Sequence, residues 1–229
     1  MEGDKVPSKW NGITSLELND FKFDIDELPP NLTALTCYKF SHKKFPKLPD
    51  NLASLYLCNT SLTQLPDLPH TLTRLDCVDN RELTELPKLP PNLTHLYCSG
   101  CNLTYLPDLP NNLVVLVCPN NSLTQLPELP NSLQLLHCYN NKLTYLPNLP
   151  DCLVDLNCCS NYITHFLQVP NNILRLDRTN NKPIRNNKPI NDSFLNTPID
   201  DICTNKSLLR SFLEMCFYII LFLFFYFIV

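Results

Sequence analysis

Glycine is scarce in this chain, with 3 among 229 residues, and the three never fall close enough together to form a glycine-rich phosphate cradle. No G-x-G-x-x-G, P-loop or H-E-x-x-H pattern occurs, so the common nucleotide-binding and zinc-hydrolase signatures are absent. Charge is also sparse. Lys and Arg number 18 against 22 Asp and Glu, a formal net charge of -4, which leaves no basic field of the kind that drives nucleic-acid affinity. Residues 1 to 12 carry Glu2, Asp4, Lys5 and Lys9 without an apolar stretch, which does not read as a secretory signal. The chain is therefore expected to face the cytosol, and its 12 cysteines to be reduced thiols rather than a disulfide framework.

What the chain does have is proline, 21 residues of it, placed periodically. The unit LxxLxCxxNxLTxLPxLPxx begins at Ile13, Leu32, Leu52, Leu72, Leu93, Leu113, Leu133, Leu153 and Ile173, giving nine units spaced 19 to 21 residues apart. Each reads as a short strand, an Asn-containing turn and a return limb. The paired prolines, such as Pro107 with Pro110 and Pro127 with Pro130, fix φ and remove amide donors, which excludes a helix there and predicts extended, polyproline-II-like limbs. A twenty-residue unit cannot bury its own apolar stripe. Stacked units can, so the expected fold is a β-rich solenoid with short parallel strands on a concave face and proline limbs on the convex one.

Stacking turns equivalent residues into columns. Cys37, Cys77, Cys98, Cys118, Cys138 and Cys158 take the third inward strand position and are expected to be small buried hydrophobes. Leu57 and Arg178 occupy that slot in other units. Cys98-x-x-Cys101 resembles half a zinc site but lacks a second pair at suitable spacing, so no metal or cofactor is assigned. Cys58 and Cys159 fall one place later, which predicts outward-facing and more reactive thiols. Asn80, Asn121, Asn141, Asn161 and Asn181 share the turn position, with Thr60 and Cys101 as substitutes. Their amides are expected to satisfy backbone groups of their own turn and the next. The Asn-x-Ser/Thr matches at Asn31 and Asn92 lie in the repeat framework, and no secretion signal supports reading them as glycan acceptors.

The run Leu106-Pro107-Asp108-Leu109-Pro110 leading into Leu113-x-x-Leu116-x-Cys118-x-x-Asn121 resembles the short leucine-rich repeats of YopM- and IpaH-type bacterial effectors. That likeness covers roughly residues 13 to 184. The Asn-Lys-Pro-Ile segments at 181–184 and 187–190 also resemble FNIP-type repeats of amoebae and giant viruses, as in a Mimivirus-like leucine-rich-repeat protein. The resemblance implies a curved solenoid offering its parallel sheet to a protein partner. It does not extend to the ubiquitin-ligase domain of IpaH-like effectors, for which the residues after the last unit leave no room, nor to the family's helical N-terminal cap, in whose place Trp10 is expected to shield the first unit.

Residues alternating with the inward Leu and Cys should line the exposed strand face. Tyr56, Arg74, Asp76, His95, Tyr97, Val117, His137, Tyr139, Asp155, Arg175 and Asp177, with Val115, are the candidate partner-binding residues. Aromatic residues and Arg are the types enriched in binding hot spots, and Tyr97, Val117, His137 and Tyr139 form the expected contact band. The same column also fits an ordinary solvated sheet. No nucleophile or carboxylate pair joins His95 and His137, so no catalytic residue is assigned and the chain is not expected to be an enzyme.

The domain reading is an N-terminal segment 1–12, a solenoid 13–184, a polar cap or linker 185–206 and a hydrophobic tail 207–229. Within residues 212 to 229 only Glu214 is charged, and eighteen helical residues would reach about 27 Å, slightly short of a hydrocarbon core. Lys206 and Arg210 precede this run, the flank expected of a cytosol-facing tail anchor. A helix packed on the solenoid end, or a C-terminus with no such role, remains open. The leading expectation is a non-enzymatic module that binds a protein through its concave strands, held at a membrane by its tail. The alternative is a structural scaffold or assembly component without a specific partner. Neither the partner nor the oligomeric state is legible in the residues.

Overall fold

A computed structural model describes residues 12–19, 27–39, 45–165 and 169–181. Among them, nine short parallel strands form one sheet whose order is the order of the sequence, as nine stacked units require. The strands are β1 (Ser15–Asn19), β2 (Ala34–Tyr38), β3 (Ser54–Cys58), β4 (Arg74–Asp76), β5 (His95–Tyr97), β6 (Val115–Val117), β7 (Leu135–His137), β8 (Asp155–Asn157) and β9 (Arg175–Asp177). Register follows the repeat, with Leu75, Leu96, Leu116, Leu136 and Leu156 as successive partners. Each of these leucines is fully buried, and so is the cysteine two residues later, from Cys77 to Cys158. The thiol column is thus internal. All the cysteines among the described residues are free.

The proline limbs carry neither helix nor strand. Their second prolines have a definite task. The carbonyls of Pro69, Pro90, Pro110, Pro130 and Pro150 accept from the amides of Leu72, Leu93, Leu113, Leu133 and Leu153 at 3.0–3.1 Å, closing the turn into the next strand. A proline cannot donate to a ladder, but its carbonyl accepts as well as any other. The residue just before each of those leucines reaches back to the preceding unit: Thr71 to the Asp50 carbonyl, Asn92 to that of His70, Asn112 to Pro91, Ser132 to Asn111 and Cys152 to Asn131. Asn92 is therefore a framework donor, in keeping with its place in the repeat.

At the far end of the strand the turn needs one left-handed residue per unit. Lys39, Asn59, Asp79, Gly100, Asn120, Asn140, Ser160 and Asn180 all have φ between 51° and 65°. Asn, Asp and Gly tolerate that region best, which accounts for most of the column. After Asp79, Asn120, Asn140, Ser160 and Asn180 the next residue is the ladder asparagine. Asn141 donates to the carbonyls of Cys118, Cys138 and Tyr139, and its oxygen accepts the Leu123 amide. Asn121 and Asn161 repeat the pattern. The amides thus serve their own unit and the preceding one, not the following one as expected from the sequence. Asn80, Asn141 and Asn161 are buried, whereas Asn121 and Asn181 are partly exposed.

The segments 1–11, 185–206 and 207–229 lie outside the described residues, as do Trp10 and the expected tail helix. Among the described residues no helix is long and apolar enough to cross a membrane.

Candidate functional site

Two rows of side chains run across the solvent face of the sheet, fixed by the strand register. The first is Ser54, Arg74, His95, Val115, Leu135, Asp155 and Arg175; the second is Tyr56, Asp76, Tyr97, Val117, His137, Asn157 and Asp177. Adjacent members of a row stand about 4.8 Å apart, the strand spacing. Ten of the eleven candidate residues, together with Val115, lie in these rows. Tyr139 lies beyond the end of β7, past Cys138, so it sits half-buried at the edge of the rows rather than within them. The rows also contain Ser54, Leu135 and Asn157, which were not among the candidates although two-residue alternation places them there.

The N-terminal part of the face is organised by Arg74. Its guanidinium lies over the Tyr97 ring at 4.6 Å and over the Tyr56 ring at 5.5 Å, so tyrosines from strands on either side of β4 hold it. His95 stacks beside Tyr97 with centroids 6.5 Å apart. Burial, reinforced by the Arg74 charge, pushes the His95 pKa below its ordinary value. Asp76, the register partner of both tyrosines, accepts the Val78 amide at 3.2 Å and the Cys58 thiol at 3.3 Å. Desolvation of this half-buried carboxyl raises its pKa, outweighing the hydrogen bonds and the Arg74 charge that act in the other direction.

Val115, Val117 and Leu135 make a half-buried apolar centre. Beyond it, Asp155 bridges two side chains: His137 Nε2 lies 3.1 Å from its Oδ1, and Arg175 donates to its Oδ2 at 3.1 Å. Burial alone would raise the Asp155 pKa, but the hydrogen bond and charge of His137, with those of Arg175, hold it below the usual carboxylate value.

Asp76, Asn157 and Asp177 share a backbone role. Each accepts the amide two residues ahead, those of Val78, Cys159 and Thr179. Where the row carries Val117 instead, the residue two ahead is Pro119, which has no amide to satisfy. Asp76 and Asp177 therefore cap their turns.

The expected reactivity of Cys58 and Cys159 is not what their surroundings favour. Both are half-buried. Burial first, and the Asp76 carboxylate second, push the Cys58 thiol well above its ordinary value. Burial and Asp177 push Cys159 up to about 11. Among the described residues no group of three or more metal-ligating side chains comes together.

Several solved structures share this architecture. YopM from Yersinia enterocolitica WA-314 superposes with a TM-score of 0.65 at 39% identity, over 66% of this chain and 34% of that one. YopM from Yersinia pestis, described as a leucine-rich effector protein, gives 0.59 at 32% identity, over 73% and 48%. A Shigella effector leucine-rich-repeat domain gives 0.51 at 31% identity, over 69% and 63%. The chain thus spans less than two thirds of each. No protein-family model matches it, and no curated protein does.

Proposed function

Because the chain is a leucine-rich-repeat protein built from short units, we propose that it is a protein-interaction module whose sheet face receives a protein partner. One observation carries the reading: Tyr97, Val117 and His137 are register partners on adjacent strands, continuous with the Tyr56–Arg74 stack on one side and the apolar Val115 and Leu135 on the other. Half-buried aromatic and Arg side chains around an apolar centre have the composition of binding hot spots. The description of the Yersinia pestis relative as an effector agrees with an interaction role. The proposed role needs no catalytic step.

A Tyr97→Ala/Tyr139→Ala variant tests it. Proximity labelling in the native host cell is expected to show a defined set of labelled proteins that this variant loses while keeping its melting temperature within a few degrees. An unchanged set on a folded variant overturns the reading and favours a scaffold without a specific partner.

The proposal extends to membrane attachment through 212–229, outside the described residues, on the strength of that run's apolar sequence and the preceding Lys206 and Arg210. The solenoid would then face the cytosol. Alkaline carbonate should leave the full chain in the membrane fraction; release into the supernatant removes the anchor from the proposal.

A further inference from the structure

Among the described residues the most exposed tyrosine rings are not on the sheet face but on the flank where each proline limb begins. Tyr105 and Tyr145 are 47% and 49% exposed. Both stand in the same sequence, Leu-Thr-Tyr-Leu-Pro, and both belong to the column Gln64, Glu85, Tyr105, Gln125, Tyr145 and His165. Buried Leu103 and Leu106 flank the first ring and buried Leu143 and Leu146 the second, so the core holds the backbone on both sides while the ring projects outward.

The orientation of the two rings is set by the column itself. The Tyr105 hydroxyl donates to Glu85 Oε2 at 2.9 Å, and the Tyr145 hydroxyl donates to Gln125 Oε1 at 3.2 Å. Each acceptor stands in the same column one unit earlier, so each ring extends along the stacking direction of the units. Their separation is set by the backbone. Asn102 donates to the Leu83 carbonyl, Ser122 to that of Leu103 and Lys142 to that of Leu123, at 2.8–3.0 Å. Such amide-to-carbonyl bonds keep neighbouring units on this flank close to the strand spacing, so two rings two units apart stand about 10 Å from each other.

We propose that this flank, a face other than the one assigned to the protein partner, binds an extended β-1,4-linked hexopyranose chain, with Tyr105 and Tyr145 as its two stacking platforms. Successive rings of such a chain are turned over, so every second ring offers the same face, and the step between like faces matches the separation of the two tyrosines. A pyranose has an apolar face of C–H bonds and a rim of hydroxyls. An exposed tyrosine supplies the counterpart, an apolar ring with a polar tip. The sugar between the two stacked ones lies at Gln125, whose side-chain nitrogen is a donor while its oxygen receives Tyr145. Thr104, Thr124 and Thr144 add exposed hydroxyls along the same strip. A protein hot spot has different surroundings, since it sits where apolar neighbours exclude water. Here exposed Thr and Gln side chains separate the rings.

The test is calorimetric titration of the full-length chain, kept in a detergent without sugar groups, with cellohexaose, chitohexaose and maltohexaose. At least one of the two β-1,4 hexamers should bind, and maltohexaose, whose α-1,4 links curl the chain, should bind at least tenfold more weakly. Tyr105→Ala and Tyr145→Ala should each weaken binding about tenfold, whereas Tyr145→Phe, which keeps the ring, should retain most of it. Exchanging two column residues, Gln125→Tyr with Tyr145→Gln, preserves composition but brings the rings one unit apart, and should weaken binding as far as Tyr145→Ala does. All these positions are exposed, so the variants should melt within a few degrees of the parent. Three results overturn the proposal: neither β-1,4 hexamer binds, maltohexaose binds equally well, or the exchange variant binds as the parent does. If no hexamer binds and Tyr105→Ala/Tyr145→Ala alters the set of proteins labelled in the host cell, the flank is a protein contact instead.

Discussion

The side-chain oxygen of Asn141 accepts the backbone amide of Leu123, eighteen residues earlier, at 3.0 Å inside the core. No water reaches that amide in the stacked molecule, since Asn141 and Leu123 are both buried. Asn141→Ala leaves it, and the carbonyls of Cys118 and Cys138, with fewer partners. At roughly 1 to 3 kcal/mol for a buried group left unpaired, the variant should lose about 3 kcal/mol. A fall in melting temperature of roughly 6–12 °C is expected for a domain of this size, measured by circular dichroism. Cys101→Asn should change the melting temperature much less, because the Leu83 amide already has the Asn80 carbonyl. Equal stability of Asn141→Ala and the parent would contradict this account of the ladder.

Asp76 is half-buried, and the loss of solvent around its carboxyl raises its pKa in the folded state. An acid that binds its proton more tightly when folded makes the native state relatively more stable as pH falls through the folded value, and costs stability above it. Asp76→Asn keeps an oxygen for the Val78 amide, as Asn157 does for Cys159 at 3.2 Å. At neutral pH the variant should be at least as stable as the parent. Its advantage should shrink as pH is lowered from 7 through the range just above the ordinary aspartate value of about 4. Urea midpoints at several pH values read this directly, and a variant less stable than the parent at neutral pH refutes it.

Asp155 behaves in the opposite sense. Its pKa is held below the usual value by His137 and Arg175 against the effect of burial, so its contribution is present above the unfolded aspartate value and disappears as pH falls through the lower folded one. Asp155→Asn should therefore lose stability at neutral pH and lose little more between about pH 4 and pH 2, where the parent gives up this term. Parallel acid-unfolding curves for parent and variant would show that the bridge across β7, β8 and β9 does not contribute.

Ser160 has φ of 53°, in the position that other units fill with Asn, Asp or Gly. Ser160→Gly removes the steric cost of a left-handed backbone, about 1 kcal/mol, part of which is returned as unfolded-chain entropy. Ser160→Asn should give a small gain in melting temperature by matching the column. Gly100→Ala should do the reverse, since its new Cβ would meet the Asp79 carboxylate in a backbone at φ 65°. A loss of about 1 to 2 kcal/mol is expected, read from the urea midpoint; a neutral Gly100→Ala would show that Asp79 swings clear and that the turn relaxes.

Much of the exposed strand face could be read without coordinates. The alternation Arg74-Leu75-Asp76-Cys77 already separates solvent-facing from buried residues, because successive strand side chains point to opposite faces. Tyr139 was harder: the alternation continues on paper past His137, while the strand hydrogen bonding of β7 ends there. The left-handed column was legible in principle in the Asn-Asn, Asp-Asn and Gly-Cys pairs, although the conspicuous second asparagine draws attention away from the first.

The repeat period, the inward leucine and cysteine columns and the exclusion of helix from the proline limbs are properties of the amino-acid order alone. Each follows from local backbone chemistry and from which side chains a short strand must hide. Tertiary structure decided the direction of the asparagine bonds, the capture of the Cys58 thiol by Asp76, the placing of His137 and Arg175 on Asp155 and the bond from the Cys101 thiol to the Cys77 carbonyl. These are contacts between neighbouring units. Their partners depend on rotamers and on the stacking offset between units, and a one-residue insertion such as that in the turn after Asn80 redirects them without disturbing the period of the chain.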